Sequence, residues 1–279
     1  SGYPCCYSNM HQGWPKFVQS LWHATPDAGL AALIYSPSEV TAKVADGVMV
    51  KITEETFYPM NDKVRFTLNI ENKQIKSVHF PFHVRIPSWC KEATISINGQ
   101  SFKTTQGGTV EVIRRIWSSG DVVDLHFPMS IQVDDNWYEK SISVQRGPLV
   151  YALRISEKWE KKQFSDEEKQ KYWKYYWEVT PETPWNYGIL QFDKAKTVEA
   201  FTVLINDEKL KSNFYWNQEK APIEIKVKAK IIPNWQLYGD RAGPIPFSTG
   251  YWGNQPVEEV TLIPYGCTTL RISQFPTVR

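Results

Sequence analysis

From Gly29 onward the chain is a succession of short runs with two-residue alternation, each cut off by Pro, Gly, Asn or Asp. That pattern constrains the fold more than any other feature. Side chains on a strand point alternately to opposite faces, so a run that alternates apolar and polar residues buries one face only. In VRFTLNI, Val64, Phe66, Leu68 and Ile70 share one face while Arg65, Thr67 and Asn69 share the other. GVMVKITEET, SVHFPFHVRIP, ATISING, TVEVIRRI and DVVDLHF repeat the theme, and Asn98-Gly99 is a two-residue hairpin signal. Many such strands over about a hundred residues predict an antiparallel β-sandwich.

A second set of strands follows a polar break at Asp134-Asp135-Asn136: SISVQRGPLVYALRI, GILQFD, TVEAFTVLI, IEIKVKAKII, VEEVTLIPY and TTLRISQF. Between them, EKWEKKQFSDEEKQKYWKYYW (157–177) is charged and aromatic. Ser165 and Glu168 form a capping box there, which predicts a short helix in an insertion. Ahead of all the strands, residues 8–23 read as a helix, with Ser8 or Asn9 as N-cap and a kink or restart at Pro15. Phe17, Val18, Leu21 and Trp22 fall on one face of it. The fold class expected is therefore mainly β: two antiparallel β-sandwich modules, 27–135 and 136–279, preceded by a short helical segment, 1–26.

The chain has 279 residues, enough for two ordinary cores, and 32 basic against 30 acidic side chains. So even a balance gives no electrostatic footprint for nucleic acid. No apolar run reaches the roughly 20 residues that span a bilayer. Aromatic residues are abundant, with 12 Trp, 14 Tyr and 13 Phe, and such rings either fill sandwich cores or offer flat platforms to sugars. Four cysteines are too few for a disulfide framework in a chain of this length. Cys90 and Cys267 read as buried thiols. The adjacent pair Cys5-Cys6 cannot close a relaxed disulfide on itself.

The strings CCYSNMHQGWPKF, VRIPSWC with the following ISING, QRGPLVYAL, PWNYGIL and VTLIPYGCTTLRISQFP together resemble the β-L-arabinofuranosidase superfamily typified by glycoside hydrolase family 127. They run in order from residue 3 to residue 276. The resemblance implies an (α/α)6 barrel followed by C-terminal β-sandwiches, with only the C-terminal portion present here. It implies a zinc ion bound by a Glu and three Cys, one of them the nucleophile, and a separate Glu as acid/base. By position Cys5 matches the nucleophilic, zinc-bound Cys and Cys6 a neighbouring zinc ligand. The remaining ligands and the acid/base Glu would belong to the missing N-terminal barrel.

The chemistry fits a sulfur at that place. A free thiol with pKa about 8.5 is only partly ionised at neutral pH, and a metal removes its proton. A retaining glycosidase needs a nucleophile and a proton donor about 5 Å apart across the sugar. Zinc takes about four ligands, and the chain offers two, so stable zinc binding by this chain alone is not expected. The expected partners are an oligosaccharide or glycoside substrate of the parent enzyme and the barrel itself. An apolar patch near residues 14–35, left by that barrel, would favour self-association. Export stays open, with a periplasmic or secreted location favoured over a cytoplasmic one. Three alternatives compete: a non-catalytic carbohydrate-binding module, a structural sandwich pair, and, last, a protein-binding sandwich. His11 is a weaker candidate for a metal or acid/base role, and His23 weaker still. His79, His83 and His126 fall on strands and read as structural, Asp134 and Asp135 as turn residues. Arg146 and Arg241 are candidates for ion pairs between modules, and Trp185-Asn186-Tyr187 for packing or a sugar groove.

Overall fold

The computed structural model describes residues 4–169, 174–211, 216–248 and 254–279, without the side chains of residues 4–8 and 169. The chain is mainly β with a leading helix, as the alternation predicts, and falls into two compact units, Ser1–Met129 and Ser130–Arg279.

Helix α1 spans Pro4–Gln19. It begins earlier than Ser8 or Asn9, so those residues lie inside it rather than capping it. Pro4 explains the difference: a proline costs nothing at the first helical position, where its missing N–H would be unpaired anyway. Pro15 lies within the same continuous helix, where it removes one backbone bond on an exposed segment.

The first unit is a two-sheet sandwich. Its strands are β1 (Trp22–Ala24), β2 (Leu30–Ala32), β3 (Ser38–Val44), β4 (Val48–Thr56), β5 (Lys63–Ile70), β6 (Ser77–Ile86), β7 (Ala93–Ile97), β8 (Gln100–Thr105), β9 (Thr109–Ser118) and β10 (Val122–His126). One sheet has the order β1-β2-β6-β9 and the other β3-β4-β5-β10-β7-β8. All pairs are antiparallel except β2 with β6. The inward face of β5 is the predicted one, with Val64, Phe66, Leu68 and Ile70 buried. On β6, Val78, Phe80, Phe82, Val84 and Ile86 form the opposing face. Between the sheets aromatic rings meet edge to face, with the Phe66 and Phe82 rings 5.1 Å apart and Trp22 5.7 Å from Phe66. Trp117 keeps its buried indole N–H satisfied by donating to the Phe80 carbonyl at 2.9 Å. Asn98 and Gly99, both at positive φ, make the predicted hairpin turn between β7 and β8.

The second unit is built on one sheet of eight strands. These are β11 (Ile131–Asp134), β12 (Ser143–Arg146), β13 (Leu149–Leu153), β16 (Tyr187–Leu190), β17 (Phe201–Ile205), β18 (Ile223–Ile231), β21 (Glu258–Pro264) and β22 (Thr277–Val278). Their order is β11-β12-β13-β21-β18-β16-β22, with β17 also on β18 and a parallel pair at β16-β22. Ile223, Ile225, Val227 and Ala229 of β18 alternate inward. Two ribbons lie outside this sheet: β14 (Glu157–Gln163) with β15 (Tyr175–Pro181), and β19 (Leu237–Tyr238) with β20 (Arg241–Ala242). The 157–177 segment is thus mostly ribbon, with helix confined to the single turn Asp166–Lys169 among the described residues. The capping box forms as expected: Ser165 Oγ donates to Glu168 Oε2 at 2.7 Å, and the Glu168 amide donates back to Ser165 Oγ at 3.3 Å. Cys90 and Cys267 are buried thiols outside any disulfide, and burial pushes Cys267 up to about 12.

Candidate functional site

The backbone places positions 5 and 6 in the first turn of α1. Cys5 and Cys6 have side chains outside the described residues. A helix N-terminus favours negative charge, and this one has no acidic residue in its first turn to oppose a thiolate. Further along the helix, His11 is exposed. Met10, Trp14, Phe17 and Val18 follow one another at i, i+4, i+7 and i+8, so they form a single stripe. That stripe faces water, with Trp14 73% and Val18 62% exposed, whereas Leu21 and Leu30 are buried.

The segment after the helix is anchored by charge. Asp27 accepts from Thr25 Oγ1, from His83 Nε2 at 3.1 Å and from Arg114 Nη2 at 2.9 Å. The Thr25 hydroxyl is the largest influence on its carboxyl; burial, the next largest, opposes it, and Arg114 and His83 add to Thr25 to hold the group down at about 2. Next to it, β2 passes very close to β6: a Cβ on Gly29 would lie 2.1 Å from the Pro81 carbonyl oxygen. His83, read from the sequence as structural, therefore pins the end of β1 to the sheet. His126 similarly meets Asp62 at 3.2 Å, and His23 bonds the Ser20 carbonyl at 3.1 Å.

One titratable group was missed from the sequence. Glu54 is 2% exposed, and burial pushes its carboxyl up to about 7, although Ser38 Oγ and the Ser36 amide both donate to it at 3.0 Å. Trp22 Nε1 donates in turn to Ser38 Oγ at 3.0 Å. The phase of β4 gave the signal, because Glu54 follows Val50 and Ile52 on the inward face. Both of its oxygens are engaged in holding the start of β3, so the group serves packing.

The other candidates resolve locally. Asp134 caps a turn by accepting from the Asn136 amide, and Asp135 pairs with Lys194. Arg146 is buried and Arg241 exposed. Trp185 packs against Trp235 at 5.2 Å, Asn186 donates to the Ile232 carbonyl, and the Tyr187 hydroxyl donates to Glu258. That trio is therefore core and rim packing rather than a groove wall. Among the described residues, no group of three His, Cys, Asp or Glu side chains could hold a metal.

Residues 29–129 match the β-L-arabinofuranosidase, GH127 middle domain, and the match stops at the residue where the first unit ends. Over those residues the chain is similar to that domain. Its fold agrees with solved structures of that kind. A GH127 β-L-arabinofuranosidase from Geobacillus stearothermophilus T6 superposes with a TM-score of 0.62 at 21% identity, over 98% of this chain and 37% of that one. The GH127 β-arabinofuranosidase BT3674 gives 0.62 at 18% identity, over 99% and 40%. A further glycoside hydrolase gives 0.60 at 19%, over 100% and 41%. No curated protein matches. The chain therefore spans about two-fifths of the length of these structures.

Proposed function

We propose that this chain is part of a retaining glycoside hydrolase acting on β-L-arabinofuranosides or related plant-type glycans, with Cys5 as the nucleophile of the intact enzyme. The observation that carries this reading is the order of two features: a matched GH127 middle domain, and ahead of it a helix whose first turn holds the Cys5-Cys6 pair. In the reaction, the Cys5 sulfur attacks the anomeric carbon and the glycosidic C–O bond breaks. The departing oxygen takes a proton from an acid supplied by the rest of the enzyme. Water then cleaves the thioglycosyl intermediate, returning the thiolate and releasing the sugar with its original configuration.

Zinc fits the donor types present, since soft sulfur ligands suit it, but two adjacent sulfurs are half of a four-coordinate set. Cys5 and Cys6 would be its ligands from this chain. When bound, the metal keeps the thiols deprotonated and fixed. The chain by itself lacks the other donors and the acid, so it should not turn over substrate. The test is an assay of the isolated 279-residue chain beside the whole enzyme on an aryl β-L-arabinofuranoside. Turnover confined to the whole enzyme is the expected result. Hydrolysis by the isolated chain would show that the assignment of missing groups is wrong.

A further inference from the structure

The ribbon β14-β15 carries an aromatic face that its own unit does not cover. In its register Trp159 pairs with Val179, Lys161 with Trp177 and Gln163 with Tyr175, so these side chains share one face. Trp159 and Trp177 are 50% and 52% exposed and meet edge to face at 6.2 Å. Lys161 sits 3.7 Å from the centroid of the Tyr175 ring. Leaving two indoles half in water is unfavourable by about 25 cal/mol for each Å² of apolar surface, so the face invites a ligand.

At its base the ribbon borders a groove of about 720 Å³. Trp159 stands on one side and Trp216, 41% exposed, on another. The groove is pre-organised. Glu157 Oε1 accepts from the amides of Thr269 and Leu270 at 2.9 and 3.1 Å, and its Oε2 from Trp159 Nε1 at 3.2 Å. Burial raises the Glu157 carboxyl, but the Leu270 and Thr269 amides outweigh it and leave it below its usual range, hence ionised. Gly266 lets the Trp216 ring lie against the backbone, because a Cβ there would stand 2.8 Å from it. Among the described residues, the Glu219 carboxylate has no hydrogen-bond or ion-pair partner, the Glu182 carboxylate accepts no hydrogen bond and feels only the Lys158 charge, and Asn217 uses only its Oδ1, on the Lys220 amide.

Rigid indole faces beside carboxylates and an amide suit a ligand with apolar C–H faces and hydroxyl donors at its edges. The three carboxylates outnumber the one lining guanidinium, Arg271, which lies over the Tyr265 ring and donates to the Thr268 carbonyl, so the groove disfavours polyanions such as nucleic acid and anionic membrane surfaces. We propose that this groove is a non-catalytic binding site for a neutral oligosaccharide, stacked on Trp159 and Trp216 and hydrogen-bonded to Glu182, Glu219 and Asn217. The site goes beyond the nucleophile reading and does not depend on Cys5.

The test titrates the 279-residue chain with neutral oligosaccharides of two to six arabinose, galactose or xylose units, by calorimetry and by NMR of the indole N–H signals. Saturable binding of at least one of them is expected, with shifts at the Trp159 and Trp216 indoles. Trp159→Ala and Trp216→Ala should each weaken it about tenfold, the loss of one stacked ring. Glu182→Gln, an exposed change that leaves folding intact, should also weaken it. The proposal is overturned if no sugar binds at up to about 10 mM, if binding leaves both indoles and both Ala variants unaffected, or if only an anionic polysaccharide binds. None of these outcomes touches turnover by the whole enzyme, so the two readings fail separately.

Discussion

Glu54 shows how a single side chain couples the first unit to pH. Its carboxyl is raised from 4.5 to about 7 by burial. Between those values the folded chain holds a proton that the unfolded chain has lost. The stability it contributes is therefore full below about 4.5 and is lost as pH rises through about 7, a drop of roughly 3 kcal/mol at most. Glu54→Gln keeps the shape and removes the charge, so its melting temperature should stay flat over that window while the wild type falls. Equal pH slopes in the two proteins would dismiss the buried acid. At Gly29 the constraint is steric: a Cβ there meets Pro81 backbone at 2.1 Å, so Gly29→Ala should cost more than about 2 kcal/mol in denaturant unfolding. Gly47→Ala, at positive φ but in open space, should cost nearer 1 kcal/mol. The inward position of Glu54 was legible in the phase of β4, but its pairing with Ser36 and Ser38 was not, since that contact depends on how β3 enters the sheet.

Elements were legible where one face is buried and one is wet. Strands β5 and β6 advertise their inward faces through four- and five-membered apolar alternations, and the Asn98-Gly99 turn and Ser165-Glu168 box follow from local chemistry. The ribbon β14-β15 was not, because a two-stranded ribbon with both faces near water has no apolar alternation to display. Its charges sit close in sequence and mimic helical pairing, while in the ribbon Lys162 instead reaches both Glu160 and Glu178. Helix α1 was expected over 8–23 and lies four residues earlier at both ends: Ser8 and Asn9 are good caps but Pro4 is a better start, and Trp22 and His23 belong to β1. Its exposed stripe makes a prediction of its own. Sedimentation of the chain should show concentration-dependent self-association, and Trp14→Ser with Val18→Ser should reduce it by removing the two most exposed large apolar side chains of the 14–18 turn. A monomer at all concentrations would mean that the stripe is tolerated in water.

At the scale of the whole molecule, two β units carry the bulk of the chain, and each has its own buried set of apolar residues. A span of residues 20–129 should therefore fold cooperatively by itself, with an unfolding transition of its own, whereas a span ending inside β10 should not. The family resemblance was legible as scattered strings because turn and edge residues such as those of ISING and QRGPLVYAL fix strand registers. The proposed catalytic centre is legible only as a Cys pair, because on that reading its other groups would come from outside these residues. The most direct test of the account is Cys5→Ala in the whole enzyme, with turnover of an aryl β-L-arabinofuranoside measured under saturating substrate. The account predicts that turnover falls by on the order of a thousandfold or more while the fold is retained. Turnover equal to that of the unaltered enzyme would contradict it.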